Sequence, residues 1–238
     1  MKGIVFDLDN TLYDRYGTIS EFLTQGWDRA KKYINPAYTL EMAIDHVLHT
    51  ESVYVHNGDW TGVYEALVKE NFFNSDNVPE YKKVSNFAAR GFETIGVNFP
   101  GIHEFLDELK NRGYKLAILT NAADVVYQNK KLGTLNIRHH FDEIVISGEY
   151  AEMMTGNPKH EDYRKPNANI FLYTAQKLGI DPSELYYVGD SPRCDIMGAI
   201  NGGYTPIWVR SRSPWSVDNK YYPELVVDNV IEIFDIVK

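Results

Sequence analysis

Five short apolar runs, each bounded by polar or turn residues, limit what this chain can fold into. They are Ile4-Val5-Phe6, Leu116-Ala117-Ile118-Leu119, Ile144-Val145-Ile146, Tyr186-Tyr187-Val188 and Ile207-Trp208-Val209. Unbroken apolar runs of this length suit strands buried on both faces of a sheet. The stretches between them carry helical spacing instead. Ile102, Phe105, Leu106 and Leu109 form one stripe, with Gly113 as a stop; Phe171, Thr174, Ala175 and Leu178 form another, ending at Gly179. Val230, Ile233, Phe234 and Val237 predict a third helix at the C-terminus. Strands alternating with helices predict an α/β fold, a parallel sheet covered by helices on both faces.

The alternation stops between about Tyr13 and Asn98, where no strand-like run occurs. Helical spacing is common there (Phe22, Trp27 and Ala30; Val63, Leu67 and Val68), as are the aromatics Trp27, Tyr33, Tyr54, Trp60, Phe72, Phe73, Phe87 and Phe92. This predicts a helical domain over residues 14–98 with those aromatics as its core, inserted into a sheet domain made of 1–13 and 99–238. Phe99-Pro100-Gly101 marks the return. The polar stretch Glu149 to Arg164 is long for a strand-to-helix connection and reads as a loop.

The chain has 238 residues, with 24 Lys plus Arg against 33 Asp plus Glu, a formal net charge of −9. So acidic a surface argues against nucleic-acid binding but leaves a cation-assisted site open. Cys194 is a lone cysteine, so no internal disulfide is expected. No stretch approaches the ~20 apolar residues of a membrane span, and the expectation is a cytoplasmic protein without a membrane partner.

The residues able to do chemistry fall where predicted strands end, the edge at which open parallel sheets bind ligands. Asp7 and Asp9 follow the first strand, Thr120 and Asn121 the second, Asp190 the fourth. Asp7-Leu8-Asp9-Asn10-Thr11 sets two carboxylates on one side of an extended chain. Such acids repel unless a cation or proton lies between them, although an Asx-turn or helix N-cap also accounts for a lone Asp here. Thr120-Asn121, before a helix start near Asp124, supplies a hydroxyl and backbone N–H groups suited to phosphate oxygens, or simply a cap. Lys165, before Pro166 and a helix, is either an ammonium fixed at the same edge or a surface lysine. In Gly189-Asp190-Ser191-Pro192-Arg193-Cys194-Asp195, the glycine permits a tight turn. Acids gathered from two strand ends provide the oxygen ligands that Mg²⁺ takes.

Together, Phe6-Asp7-Leu8-Asp9-Asn10-Thr11-Leu12, Leu119-Thr120-Asn121, Arg164-Lys165-Pro166 and Gly189 to Asp195 resemble the four motifs of the haloacid dehalogenase superfamily, in order and over nearly the whole chain. The resemblance implies a Rossmann-like core with a helical cap inserted after the first strand. It implies a hydrolase in which Asp7 is the nucleophile and forms an aspartyl-phosphate. Asp9 is then the acid and base, Thr120 and the backbone N–H of Asn121 hold the phosphoryl oxygens, and Lys165 neutralises charge. Mg²⁺ is implied on Asp7, the Asp9 carbonyl and Asp190, with Asp195 as a ligand, a water-mediated ligand or a partner of Lys165. The superfamily's dehalogenases lack an acid at the position of Asp9, so a small phosphomonoester, a sugar phosphate or nucleoside monophosphate, is the implied substrate.

A phosphomutase of the same fold is the alternative; that branch often carries Gly where Asn10 stands here. A phosphonate hydrolase needs a Schiff-base lysine in the cap, and Lys31, Lys32, Lys69, Lys82 and Lys83 read as solvated. A catalytically silent binding module would lack a motif acid, and none is missing. In the cap, Trp27, Tyr54 and Trp60 can stack on a substrate but read as core. The segment His56-Asn57-Gly58-Asp59 reads as a surface turn, and Cys194 as a small filler.

Overall fold

The computed structural model describes residues 2–54, 60–210 and 214–237, so His56-Asn57-Gly58-Asp59 lies outside the described residues. In chain order the regular elements are β1 (Gly3–Phe6), α1 (Arg15–Ala30), α2 (Leu40–Tyr54), α3 (Thr61–Lys69), α4 (Tyr81–Thr94) and α5 (Ile102–Asn111). There follow β2 (Lys115–Thr120), α6 (Val125–Thr134), β3 (Glu143–Ile146), α7 (Ser147–Thr155), α8 (Ala168–Leu178), β4 (Leu185–Gly189), α9 (Gly198–Asn201), β5 (Thr205–Val209) and β6 (Leu225–Val227). The chain divides into two compact units, Met1–Asp14 with Asn98–Lys238, and Arg15–Val97.

The first unit is built on a six-stranded sheet in the order β3-β2-β1-β4-β5-β6, with every pairing parallel. Alternation along each strand divides the apolar side chains between two faces. Ile4, Phe6, Leu116, Ile118, Val188 and Ile207 join α5 and the C-terminal segment in one core. Val5, Ala117, Leu119, Leu185 and Tyr187 join Ile170, Phe171, Ala175 and Leu178 of α8 in the other. The chain leaves central β1 for β2 on one side and reaches β4 on the other. The β1/β4 boundary is therefore where the strand order reverses, the position at which such sheets open a crevice beyond their carboxyl ends.

Two expectations need correction here, and one strand went unread. The segment from Glu149 to Arg164 is not a loop: α7 covers its first half and a 3₁₀ turn spans Glu161–Tyr163. Its polarity hid one packed side, on which Ala151 is buried and Tyr150 stacks on Tyr173 at 4.1 Å. The C-terminal stripe forms a 3₁₀ helix over Val230–Asp235 rather than an α-helix, because spacing by three serves either geometry. Strand β6 has three residues, too few to make a recognisable run.

The second unit contains four α-helices among the described residues. Arg15 on α1 donates to Glu51 on α2 at 2.7–2.8 Å, a partly buried ion pair joining the two. Phe22 and Phe87 pack at 4.4 Å between α1 and α4, and Gly91 makes room: a Cβ there would lie 2.6 Å from the Phe22 ring. Of the aromatics expected as core, Phe72 and Phe73 are buried, Trp27, Tyr33, Trp60 and Phe87 are half-buried, and Tyr54 is exposed, as is Val68. So small a bundle lacks the interior to hide them all. The side chain of Phe92 is outside the description.

Candidate active site

Strand β1 ends by pairing Phe6 with Val188 of β4, and the N–H of Asp7 donates to the Val188 carbonyl at 2.8 Å. This last ladder bond fixes Asp7 at the β1/β4 boundary, where it is buried. Lys165 comes from the segment before α8 and is equally buried. Its ammonium donates to Asp7 Oδ1 at 2.6 Å, to Asp195 Oδ1 at 2.7 Å and to the Tyr187 hydroxyl at 2.9 Å. Asn121 places that segment. Its side-chain oxygen accepts from the Lys165 N–H at 2.9 Å and its side-chain nitrogen donates to the Lys165 carbonyl at 3.0 Å. The following Lys165-Pro166 peptide is cis.

Beyond β4 the chain turns through Ser191 into one turn of π-helix, Pro192–Met197, an uncommon form that often marks functional sites. The turn swings Asp195 back over Gly189. Its Oδ2 accepts from the Ser191 N–H at 2.8 Å, and its Oδ1 is shared by Lys165 and Tyr187. Gly189 is needed for this close approach rather than for an unusual turn, since a Cβ there would sit 2.5 Å from the Asp195 carboxyl carbon. The Trp208 indole N–H donates to the Asp190 carbonyl at 2.9 Å.

Carboxylate oxygens of Asp7, Asp190 and Asp195 lie within 4.8 Å of one another. Burial pushes the Asp7 carboxyl up to about 7, with Asp195 and Asp9 adding to the rise and Lys165 opposing it. For Lys165, burial works against the charge, but Asp195 and Asp7 prevail and hold the ammonium well above its ordinary range. The Cys194 thiol is raised by burial and by Asp195, which keeps it from acting as a reactive thiolate.

Asp9 stands in a second group at the same edge. The Lys131 ammonium on α6, 3% exposed, reaches both Asp9 oxygens at 2.9 Å, and the buried Tyr13 hydroxyl donates to Oδ1 at 2.7 Å. Asn10 adopts φ 58°, a left-handed conformation that asparagine tolerates, and so turns the chain after Asp9. Thr120 is buried at the end of β2 and its hydroxyl accepts from the Gln128 amide at 2.9 Å. Asp124, not Thr120, caps α6 by accepting from the Tyr127 N–H.

Sequence reading did not find Lys131, Tyr13 or Tyr187, nor the use of the Asn121 side chain. A signal existed for one of them: Gln128 and Lys131 fall beside Leu132 on the buried stripe of α6, polar groups at core-facing positions.

The sequence profile of the haloacid dehalogenase-like hydrolases matches residues 1–203. A glyceraldehyde 3-phosphate phosphatase of Methanopyrus kandleri is 26% identical over 100% of this chain and 97% of its own length. An N-acylneuraminate-9-phosphatase of Rattus norvegicus is 24% identical over 98% of this chain and 92% of its own. Among solved structures, the HAD-hydrolase YfnB from Bacillus subtilis, bound to magnesium, superposes with a TM-score of 0.72 at 17% identity, covering 99% of this chain and 97% of that one. The profile match takes in every strand-end acid described above as well as Lys165, and on that match the chain belongs to the haloacid dehalogenase-like hydrolases.

Proposed function

We propose that this enzyme is a Mg²⁺-dependent phosphatase of small phosphorylated metabolites that works through an aspartyl-phosphate on Asp7. The observation that carries the reading is the buried Asp7–Lys165–Asp195 chain beside Asp190. Three buried acids share a single ammonium, so oxygen ligands outnumber the cation that balances them, and an all-oxygen donor set suits a hard divalent cation. Asp7, Asp190 and the Asp9 carbonyl are the ligands we assign, with Asp195 beside them as the partner of Lys165. Bound there, Mg²⁺ supplies positive charge that lets an anionic phosphate approach an anionic nucleophile.

The chain's own groups divide the remaining work. An Asp7 carboxylate oxygen attacks phosphorus while the ester P–O bond breaks and the leaving oxygen takes a proton from Asp9. Asp9, now a carboxylate, removes a proton from water, whose oxygen displaces Asp7 and frees phosphate. Lys165, Thr120 and the Asn121 N–H balance and orient the phosphoryl oxygens, which in phosphoryl transfer is most of the catalysis. Lys131 contacts both Asp9 oxygens, so proton delivery in the first step requires Asp9 to turn out of that pairing toward the ester oxygen. We assign the choice of leaving group to the helical unit 15–97, as the cap domain.

Phosphate release tests this directly. The panel is glyceraldehyde 3-phosphate, phosphoserine, N-acylneuraminate 9-phosphate and pyrimidine 5′-nucleotides, compounds in the names of its phosphatase and nucleotidase relatives. Mg²⁺-dependent release that chelator removes, and that Asp7→Asn lowers by at least about 10³-fold (~4 kcal/mol), is the expected result. Full release by Asp7→Asn overturns the assignment, and isomerisation without release makes the enzyme a phosphomutase.

A further inference from the structure

A second cluster of metal-ligating side chains lies away from the motif residues. His103 in the first turn of α5 meets His139 and His140, which close the 3₁₀ turn Arg138–His140 leading into the amino end of β3. The acidic cluster, by contrast, collects at carboxyl ends of strands. His103 Nδ1 and His140 Nε2 are 2.9 Å apart, and one nitrogen from each of the three rings falls within 4.8 Å of the others. The His139 and His140 rings are 4.0 Å apart between centroids, and the His139 ring lies nearly parallel to that of His103.

We propose that His103, His139 and His140 form a binding site for a borderline transition-metal ion of the Zn²⁺ class, distinct from the acidic Mg²⁺ site. The donor chemistry selects the ion, because imidazole nitrogens suit Zn²⁺, Co²⁺ or Ni²⁺ and discriminate against Mg²⁺. The spacing also fits. Two nitrogens at about 2.0–2.1 Å from a tetrahedral ion stand roughly 3.3 Å apart, so the 2.9 Å pair has to open by only a few tenths of an ångström.

The surroundings match those of a metal-binding histidine. His140 Nδ1 is 3.0 Å from Asp107 Oδ1, one turn along α5 from His103. That carboxylate holds the proton on Nδ1 and leaves the Nε2 lone pair facing the other rings, the arrangement in which a carboxylate supports a histidine ligand. On the other side, the side-chain nitrogen of Asn98 lies 3.4 Å from His103 Nε2 and donates to the Leu135 carbonyl at 3.0 Å. A His103 that gives Nδ1 to a metal carries its proton on Nε2, so this Asn98 contact has to give way when the ion binds. Burial and the neighbouring His139 lower the His140 pKa, which favours the neutral ring that a metal requires. His140 is buried and His139 exposed, so an ion enters from solvent and keeps a position for water. Bound there, it ties α5 to the segment before β3.

Calorimetric titration of the full chain with Zn²⁺, in excess Mg²⁺ to fill the acidic site, tests the assignment without relying on activity. One Zn²⁺ per chain is expected, and Co²⁺ in its place gives the visible absorption of a tetrahedral nitrogen-ligated ion. His139→Ala, an exposed change that spares folding and phosphate release, weakens Zn²⁺ binding by at least about tenfold, and Asp107→Asn weakens it by about 10–100-fold. Asp7→Asn keeps the full equivalent. No Zn²⁺ uptake by the wild type, uptake unchanged in His139→Ala, or uptake lost in Asp7→Asn each overturns the proposal. The first outcome makes the trio a hydrogen-bonded staple and nothing more.

Discussion

Lys131 reaches both oxygens of Asp9 from α6, and together with Tyr13 it holds a carboxylate to which the mechanism gives two proton transfers. Lys131→Met keeps the apolar stem and removes the charge, while the Tyr13 hydroxyl stays on Asp9. The expected outcome is a kcat lowered about 10–100-fold with KM little changed, read from steady-state phosphate release. A larger change in KM than in kcat would place Lys131 on the substrate instead. Gly189 is a second single-residue control. Its methyl-bearing variant, Gly189→Ala, drives Asp195 off Lys165, so Mg²⁺ affinity and melting temperature fall together, as titration and thermal unfolding in one buffer show. The motif acids were legible in sequence because each is a local event at a strand end. Lys131, Tyr187 and the Asn121 side chain were not, since each acts on a group distant in the chain: Lys131 on Asp9, Tyr187 and Asn121 on Lys165.

Elements tell a similar story at larger spacing. Strands β1 to β5 were legible because each is an unbroken apolar run, whereas α7 was hidden by a polar surface and β6 by its brevity. The helical unit illustrates what periodicity leaves out. Its helices were expected, but the close approach of α1 and α4 depends on Gly91 admitting the Phe22 ring. Gly91→Ala sets a methyl group against that ring, and overpacking of this kind costs about 1–3 kcal/mol. Denaturant melts are expected to show a lower midpoint. Activity measured well below the transition stays at the wild-type level, because Gly91 is remote in sequence from every motif. A midpoint equal to wild type would mean that the two helices part without cost.

For the whole molecule, the acidic site ties stability to pH and, with Mg²⁺ bound as we propose, to the metal as well. The Asp7 carboxyl sits at about 7 in the folded chain against 3.8 for the free group. Between those values the unfolded chain gives up this proton first, so the metal-free protein loses stability as pH rises through that window. In the mechanism we propose, Mg²⁺ displaces the same proton, so its stabilising effect grows as pH rises through about 7. Melting curves with Mg²⁺ and with chelator are expected to lie close together well below that pH and to separate above it. A constant gap would contradict the raised Asp7. The sheet order carries a consequence for synthesis on the ribosome. β1 precedes both of its sheet neighbours in the chain by a long way, pairing Gly3 with Lys115 and with Leu185. The strand that leads into Asp7 therefore waits, apolar on both faces, while the helical unit and most of the sheet are translated. Such distant pairing is slow to form and exposed to aggregation until it does. A nascent chain of this protein carries Asp7 long before it carries the Lys165, Asp190 and Asp195 that gather around it.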